Sequence, residues 1–179
     1  MDPIEVPPPT RLSSFGLTGF GLCTLLLGLL LSGLVPVSPL LATAILFYGA
    51  VLQIVAGVRA WKKTDSFAAT FFLPLGLFWL SLVALFLLPL TGWGEPPQPI
   101  PLGGYLALWG LFGIALLLQA GRRHRVLQLM FAALVLLLLL MAAAMIVAAP
   151  ALRPFAGLAG IACGLIALYA CLAEAMKKA

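Results

Sequence analysis

The chain has 179 residues, 64% of them hydrophobic and 8% charged, with a formal net charge of +5. Soluble domains are about 45–50% apolar and roughly 25% charged, so ten basic and five acidic side chains leave too little polar surface for a water-soluble core. The same arithmetic excludes a disordered chain, a collagen-like repeat and a disulfide-stapled secreted domain, and the sequence reads as an integral membrane protein.

Residues 1–13, beginning MDPIEVPPPT, form an acidic, proline-rich extended tail. The tail lacks a basic n-region, so the first apolar stretch is not expected to be a cleaved signal peptide. No Lys, Arg, Asp or Glu occurs in the 47 residues between Arg11 and Arg59. That length holds two helices of roughly 20 residues, enough to cross a ~30 Å hydrocarbon core twice. They are predicted at 14–34 and 38–60, divided at SGLVPVSPL by Pro36, Pro39 and two serines. A third helix is predicted over 67–90, kinked where Pro74 leaves a carbonyl without its donor. TGWGEPPQPIPLGG (91–104) then reads as a loop, followed by helices at 103–120, 126–149 and 154–175. The fold class is an all-α integral membrane protein: one bundle of six transmembrane helices over 14–176, with a basic tail at 177–179.

Six crossings place both termini on one side. Arg11, Arg59, Lys62, Lys63, Arg122, Arg123, Arg125, Lys177 and Lys178 gather there, and only Arg153 lies opposite. Nine against one predicts cytoplasmic termini by the positive-inside rule and a multi-pass protein of the plasma (inner) membrane. The positive charge then belongs to one membrane face and to anionic lipid rather than to nucleic acid.

The membrane interior is nearly free of ionisable groups. Arg59 and Glu174 sit near helix ends, and the lone histidine, His124, lies in the loop GRRHR. Ionisable groups inside a membrane are costly and mark relays and coupling sites, so their scarcity argues against a pump built on a buried carboxylate. It also argues against an enzyme, a metal centre or a bound cofactor, because acid–base and metal chemistry lack their residues. Cys23, Cys163 and Cys171 all lie in apolar runs and read as small packing residues.

Small residues mark helix faces at Ala156, Gly160, Gly164, Ala167 and Cys171, at Gly49, Gln53 and Gly57, and at Gly16, Phe20, Thr24 and Gly28. Such stripes let backbones approach closely. A buried Thr or Gln needs a hydrogen-bond partner, either a neighbouring helix or a solute pathway. Trp61, Trp93 and Tyr105 fall at interfaces where an aromatic belt is expected. Trp79 and Trp109 lie deeper, in packing or along a pathway.

The runs FYGAVLQIVAGVRAWKKTDSF (47–67), GLFWLSLVALFLLP (76–89), GGYLALWGLFG (103–113), RVLQ (125–128) and FAGLAGIACG (155–164) together resemble the acetate uptake transporter family. The resemblance runs from Phe15 to about Met176. It implies six transmembrane helices, assembly as a homo-hexamer, and a pathway in each subunit for acetate and other small carboxylates, succinate among them. It also implies a hydrophobic constriction at Phe20, Leu75 and Leu134, with Ala167 at a position tied to selectivity.

The family commonly has tyrosine where this chain has Leu75, asparagine where it has Gly28 and Met145, and polar residues where it has Leu30 and Leu31. With Thr24, Tyr48, Gln53, Trp79 and Gln128 as pathway lining and Arg122, Arg123 and Arg125 attracting anions at the cytoplasmic mouth, the expected function is small-monocarboxylate transport with proton linkage. A channel for urea or short amides and a non-transporting membrane scaffold are the competing readings.

Overall fold

A computed structural model describes residues 12–36, 38–121 and 125–176. Most of the N-terminal tail, the cations Arg11, Arg122 and Arg123, His124 and the basic tail at 177–179 lie outside the described residues. Six helices follow one another as α1 (Ser14–Ser32), α2 (Pro39–Lys62), α3 (Ser66–Leu87), α4 (Pro99–Ala120), α5 (Arg125–Ile146) and α6 (Arg153–Met176). Short 3₁₀ turns at Leu88–Thr91 and Pro150–Leu152 complete two of the connections. Each helix has 19 to 24 residues, about 28–36 Å at 1.5 Å per residue, and all six are long and apolar enough to cross a membrane.

The chain dictates the ends. Gly33 takes the left-handed conformation (φ 69°) that stops α1. The Ser38 hydroxyl accepts from the Leu41 N–H at the start of α2, and the Asp65 carboxylate accepts from the Ala68 N–H at the start of α3. Helix α4 begins at Pro99, four residues earlier than the proline-rich stretch predicts. Prolines in a first turn forfeit no hydrogen bond, because those N–H groups have no intrahelical partner. Helix α3 continues unbroken through Pro74.

The helices stand in a ring in chain order, each packed on its neighbours, and α6 returns to close on α1. That closure is made by glycine. A Cβ on Gly28 would lie 2.7 Å from the Gly157 carbonyl oxygen, and one on Gly164 would lie 2.6 Å from the Leu25 Cβ. Three thiols tie neighbouring helices by donating to backbone carbonyls: Cys23 to Leu46 (3.6 Å), Cys163 to Met130 (3.3 Å) and Cys171 to Ser14 (3.4 Å).

The seam between α3 and α4 is of a different kind. Side chains fill it: Phe78 stacks on Tyr105 (centroids 5.9 Å) and meets Trp109 (4.9 Å), and Ser81 hydrogen-bonds the Tyr105 hydroxyl. Tyr105 therefore faces its neighbour helix rather than joining an interfacial belt. Trp61 and Trp93 are exposed, as that belt requires.

The outer surface is as apolar as the interior, with Leu41, Val55, Leu108, Leu118, Leu136 and Leu172 all exposed. Such a surface suits hydrocarbon or a neighbouring subunit rather than water.

The backbone contacts at Gly28 cannot yield, whereas nothing lies within 4 Å of a Cβ on Gly104. Gly28→Val should therefore lower the melting temperature of the detergent-solubilised protein sharply. Gly104→Ala should leave it unchanged or raise it by up to about 1 kcal/mol of helix stability. Equal effects of the two would show that the α1–α6 contact is not what holds the bundle.

Candidate functional site

Helices α1, α3 and α5 start at the end of the bundle that carries Arg59, Lys62, Lys63 and Arg125, here called the basic end. Leu75 lies nine residues into α3 and Leu134 nine into α5, about 13–14 Å from that end. Phe20 lies six residues into α1. All three are fully buried, at 0% exposure, within one continuous apolar core. A Leu134 methyl carbon stands 4.0 Å from the place of a Cβ on Gly113, ordinary van der Waals distance, so Leu134 packs toward α4.

Nearer the basic end lies a layer of phenylalanines that the sequence reading does not single out. Phe71 meets Phe20 edge-on (centroids 5.3 Å), Phe131 edge-on (5.0 Å) and Phe72 at 4.3 Å. Phe67 adds an edge contact to Phe131 at 6.4 Å. Phe71 and Phe131 precede Leu75 and Leu134 by four and three residues, the spacing of one helix face. That spacing was the available signal. Phe72 lies over Gly16, whose Cβ would meet its ring. The centre of the bundle is therefore closed by two apolar layers, the phenylalanines, with Phe20 at their depth, then Leu75 and Leu134.

The polar residues assigned to the pathway separate on inspection. Thr24 is fully buried, and its hydroxyl donates back to the Phe20 (2.9 Å) and Gly21 (3.2 Å) carbonyls. Gln53 is fully buried; its Nε2 donates to the Gly49 carbonyl at 3.2 Å and lies 3.9 Å from the Cys23 sulfur. The Gln53 Oε1 has no hydrogen-bond partner, and neither has the indole N–H of the fully buried Trp79. Ala167 is fully buried on α6, and Gln128 is half-buried one turn before Phe131.

Tyr48 is a correction: it is 69% exposed on the outer face of α2, edge-on to Phe47, so the subunit's own core does not include it. Its neighbours Gly49 and Gln53 take the α1-facing side, which turns Tyr48 outward. Arg125 is exposed at the start of α5, and its companions Arg122 and Arg123 lie outside the described residues.

Two of the family's polar positions acquire a structural reason. Gly28 has no space for a side chain, because α6 backbone occupies it. Met145 lies in the α4–α5 seam, its Cβ 3.1 Å from the place of a Cβ on Gly103. A groove of about 580 Å³ lies apart from the buried core layers, along the α2–α3 hairpin at the basic end, between Trp61, Thr64, Thr70 and Pro74.

Six helices long and apolar enough to cross a membrane, packed around one buried apolar core, define a multi-pass membrane protein. The chain belongs to the GPR1/FUN34/yaaH family, whose profile it matches over residues 7–179. It is 37% identical over 163 residues to the Escherichia coli (strain K12) succinate-acetate/proton symporter SatP, covering 91% of this chain and 87% of that one. A protein of Methanothermobacter thermautotrophicus is 33% identical over 170 residues, covering 91% and 83%. The solved structure of the bacterial acetate channel SatP superimposes with a TM-score of 0.88 at 36% identity, over 96% of this chain and 94% of that one.

Phe71 touches Phe20, Phe72 and Phe131 at once, so Phe71→Ala removes the centre of the phenylalanine layer. Loss of a buried ring costs on the order of 3–5 kcal/mol where the site cannot collapse. A clear fall in melting temperature is expected; an unchanged melt would mean that the layer repacks freely.

Proposed function

We propose that this protein carries acetate and other small monocarboxylates across the plasma membrane, through a pathway in each subunit that narrows at Phe20, Leu75 and Leu134. The observation that carries this reading is the full burial of those three side chains in one core, within a fold that matches a solved acetate channel along nearly its whole length. Residues 14–176 form the transport domain, and the subunits assemble as a homo-hexamer with cytoplasmic termini.

A carboxylate sheds water poorly, so an apolar constriction is a high barrier to the ion and a lower one to the neutral acid. Leu75 puts no hydroxyl into the constriction, which favours the neutral form and gives the proton linkage. Arg122, Arg123 and Arg125 raise the local anion concentration at the cytoplasmic mouth, an effect screened beyond roughly 8–10 Å. Thr24, Gln53, Trp79, Gln128 and Ala167 line or adjoin the pathway. The uncharged interior also suits a neutral solute such as urea or a short amide, and side-by-side uptake of acetate and urea separates the two.

In proteoliposomes, Leu134→Ala should raise the rate of labelled acetate uptake and admit longer acids; unchanged rate and size selectivity would sink the constriction assignment. Tags on both termini of the protein in whole cells should be reached by an impermeant reagent only after permeabilisation. Labelling of either terminus in intact cells would reverse the topology.

A further inference from the structure

Among the described residues, two buried side-chain polar atoms lack hydrogen-bond partners, and they are of opposite kinds. Gln53 Oε1 is an acceptor, and the Trp79 indole Nε1–H is a donor. Both side chains are at 0% exposure. An unpartnered buried polar group costs about 1–3 kcal/mol.

The orientation of the Gln53 amide is fixed by chemistry. Its Nε2 donates to the Gly49 carbonyl at 3.2 Å, and exchanging N for O would set two acceptors against each other. The free atom is therefore the carbonyl oxygen. The indole has no such ambiguity, since it only donates.

The two residues lie on neighbouring helices, α2 and α3, which pack on each other. Gly76 on α3 packs against the backbone of α2 at Ala50 and Ile54. Gln53 is adjacent to Ile54, and Trp79 is three residues after Gly76. Trp79 also follows Leu75 by one helical turn on the same face of α3, on the side away from the phenylalanine layer.

One donor and one acceptor are the complement of an undissociated carboxyl group, which offers a carbonyl oxygen and an O–H. They do not complement a carboxylate, which has only acceptors and would face the Gln53 oxygen with like polarity. Resting on the transport reading above, we propose that Gln53 and Trp79 form a station that recognises the protonated acid next to the constriction. The indole N–H donates to the acid's carbonyl oxygen, and the acid's O–H donates to Gln53 Oε1. No bond is made or broken, and the proton travels with the solute.

The ionisable side chains on the elements around this station do not alter that balance. Helix α1 brings Cys23, α4 brings Tyr105 through its contact with Phe78, α5 brings Arg125 at its start, and α6 brings Arg153 at its start with Cys163, Tyr169, Cys171 and Glu174. Helix α2 carries Tyr48, Arg59 and Lys62 toward its surface or its end, and the described length of α3 carries none. Glu174 lies two residues from the basic end of α6, well removed in depth from Trp79.

The test uses the full chain in proteoliposomes with labelled acetate at pH 5, 6 and 7. Half-saturation expressed as undissociated acetic acid should stay constant, so that expressed as total acetate it rises about tenfold per pH unit. Trp79→Phe and Gln53→Met, each removing one hydrogen bond and keeping most of the volume, should raise half-saturation about 5- to 10-fold.

A binding readout independent of flux separates recognition from folding. Indole emission of the solubilised protein should shift on titration with acetate at pH 5 but not at pH 7. The shift should be lost in Trp79→Phe and kept in Trp61→Phe. Half-saturation constant in total acetate, or unchanged in both variants, or an emission shift that survives Trp79→Phe, overturns the station while leaving acetate transport intact. Wild-type protein that moves no acetate overturns the transport reading, and the station with it.

Discussion

Ring closure at the α1–α6 seam is the contact on which the rest of the bundle depends. The other neighbours in the ring are consecutive in the chain, so short connections already hold them together. Helices α1 and α6 are the first and last, and only their packing joins them. In lipid there is no hydrophobic drive for helices to associate, because the tails are as apolar as leucine. Association rests on close van der Waals contact, and contact at backbone distance requires glycine. Gly21 and Gly28 on α1 against Gly157, Gly160 and Gly164 on α6 supply it. That seam also sets what lies beside it: Thr24 next to Gly160, Cys171 donating to Ser14, and Phe20 turned toward α3.

The opposite seam shows how the same ring accommodates a wide gap. Helices α3 and α4 stay far enough apart for Phe78, Tyr105, Trp109 and Phe112 to fill the space between them. A backbone-to-backbone seam is stiff, since a carbonyl or a backbone N–H within a helix has no rotamer to exchange. An aromatic seam pinned by one Ser81–Tyr105 hydrogen bond has rotamers to exchange. The two seams therefore divide the subunit into a rigid side around α1 and α6 and a more adaptable side around α3 and α4. The proposed constriction draws on both, with Phe20 from the first and Leu75 from the second.

Much of the fold was legible because charge is scarce. Five charge-free stretches, the first long enough for two helices, give six spans, and Gly33, Ser38 and Asp65 mark ends where the sequence offers turn and cap chemistry. What was not legible is which way each helix faces. In a soluble protein the apolar stripe points to the core, but here lipid and core are both apolar and the contrast vanishes. Tyr48 and Tyr105 show the consequence: one was read as lining a pathway and is outside, the other was read as interfacial and is packed between helices. Glycine escaped the problem, because a small residue signals close approach whatever solvent lies outside. Phe20, Leu75 and Leu134 came from family resemblance rather than periodicity, and the phenylalanine layer beneath them needed the coordinates. The unpaired Gln53 and Trp79 atoms needed them too, since an orphaned hydrogen bond is a property of packing that composition does not carry.

Magnitudes explain why an interior without charges suits a weak acid. Moving a bare carboxylate into a medium of low dielectric costs on the order of tens of kcal/mol unless it is paired. No Lys, Arg or His lies in the charge-free stretches that bear Phe20, Gln53, Leu75, Trp79 and Leu134 to pair with it. Protonating the acid in water first costs about 1.4 kcal/mol for each pH unit above its pKa. Two to three units near neutrality therefore cost about 3–4 kcal/mol, far below the desolvation of the ion. In the proposed pathway no titrating side chain is needed for proton linkage, because the solute itself carries the proton past the apolar layers.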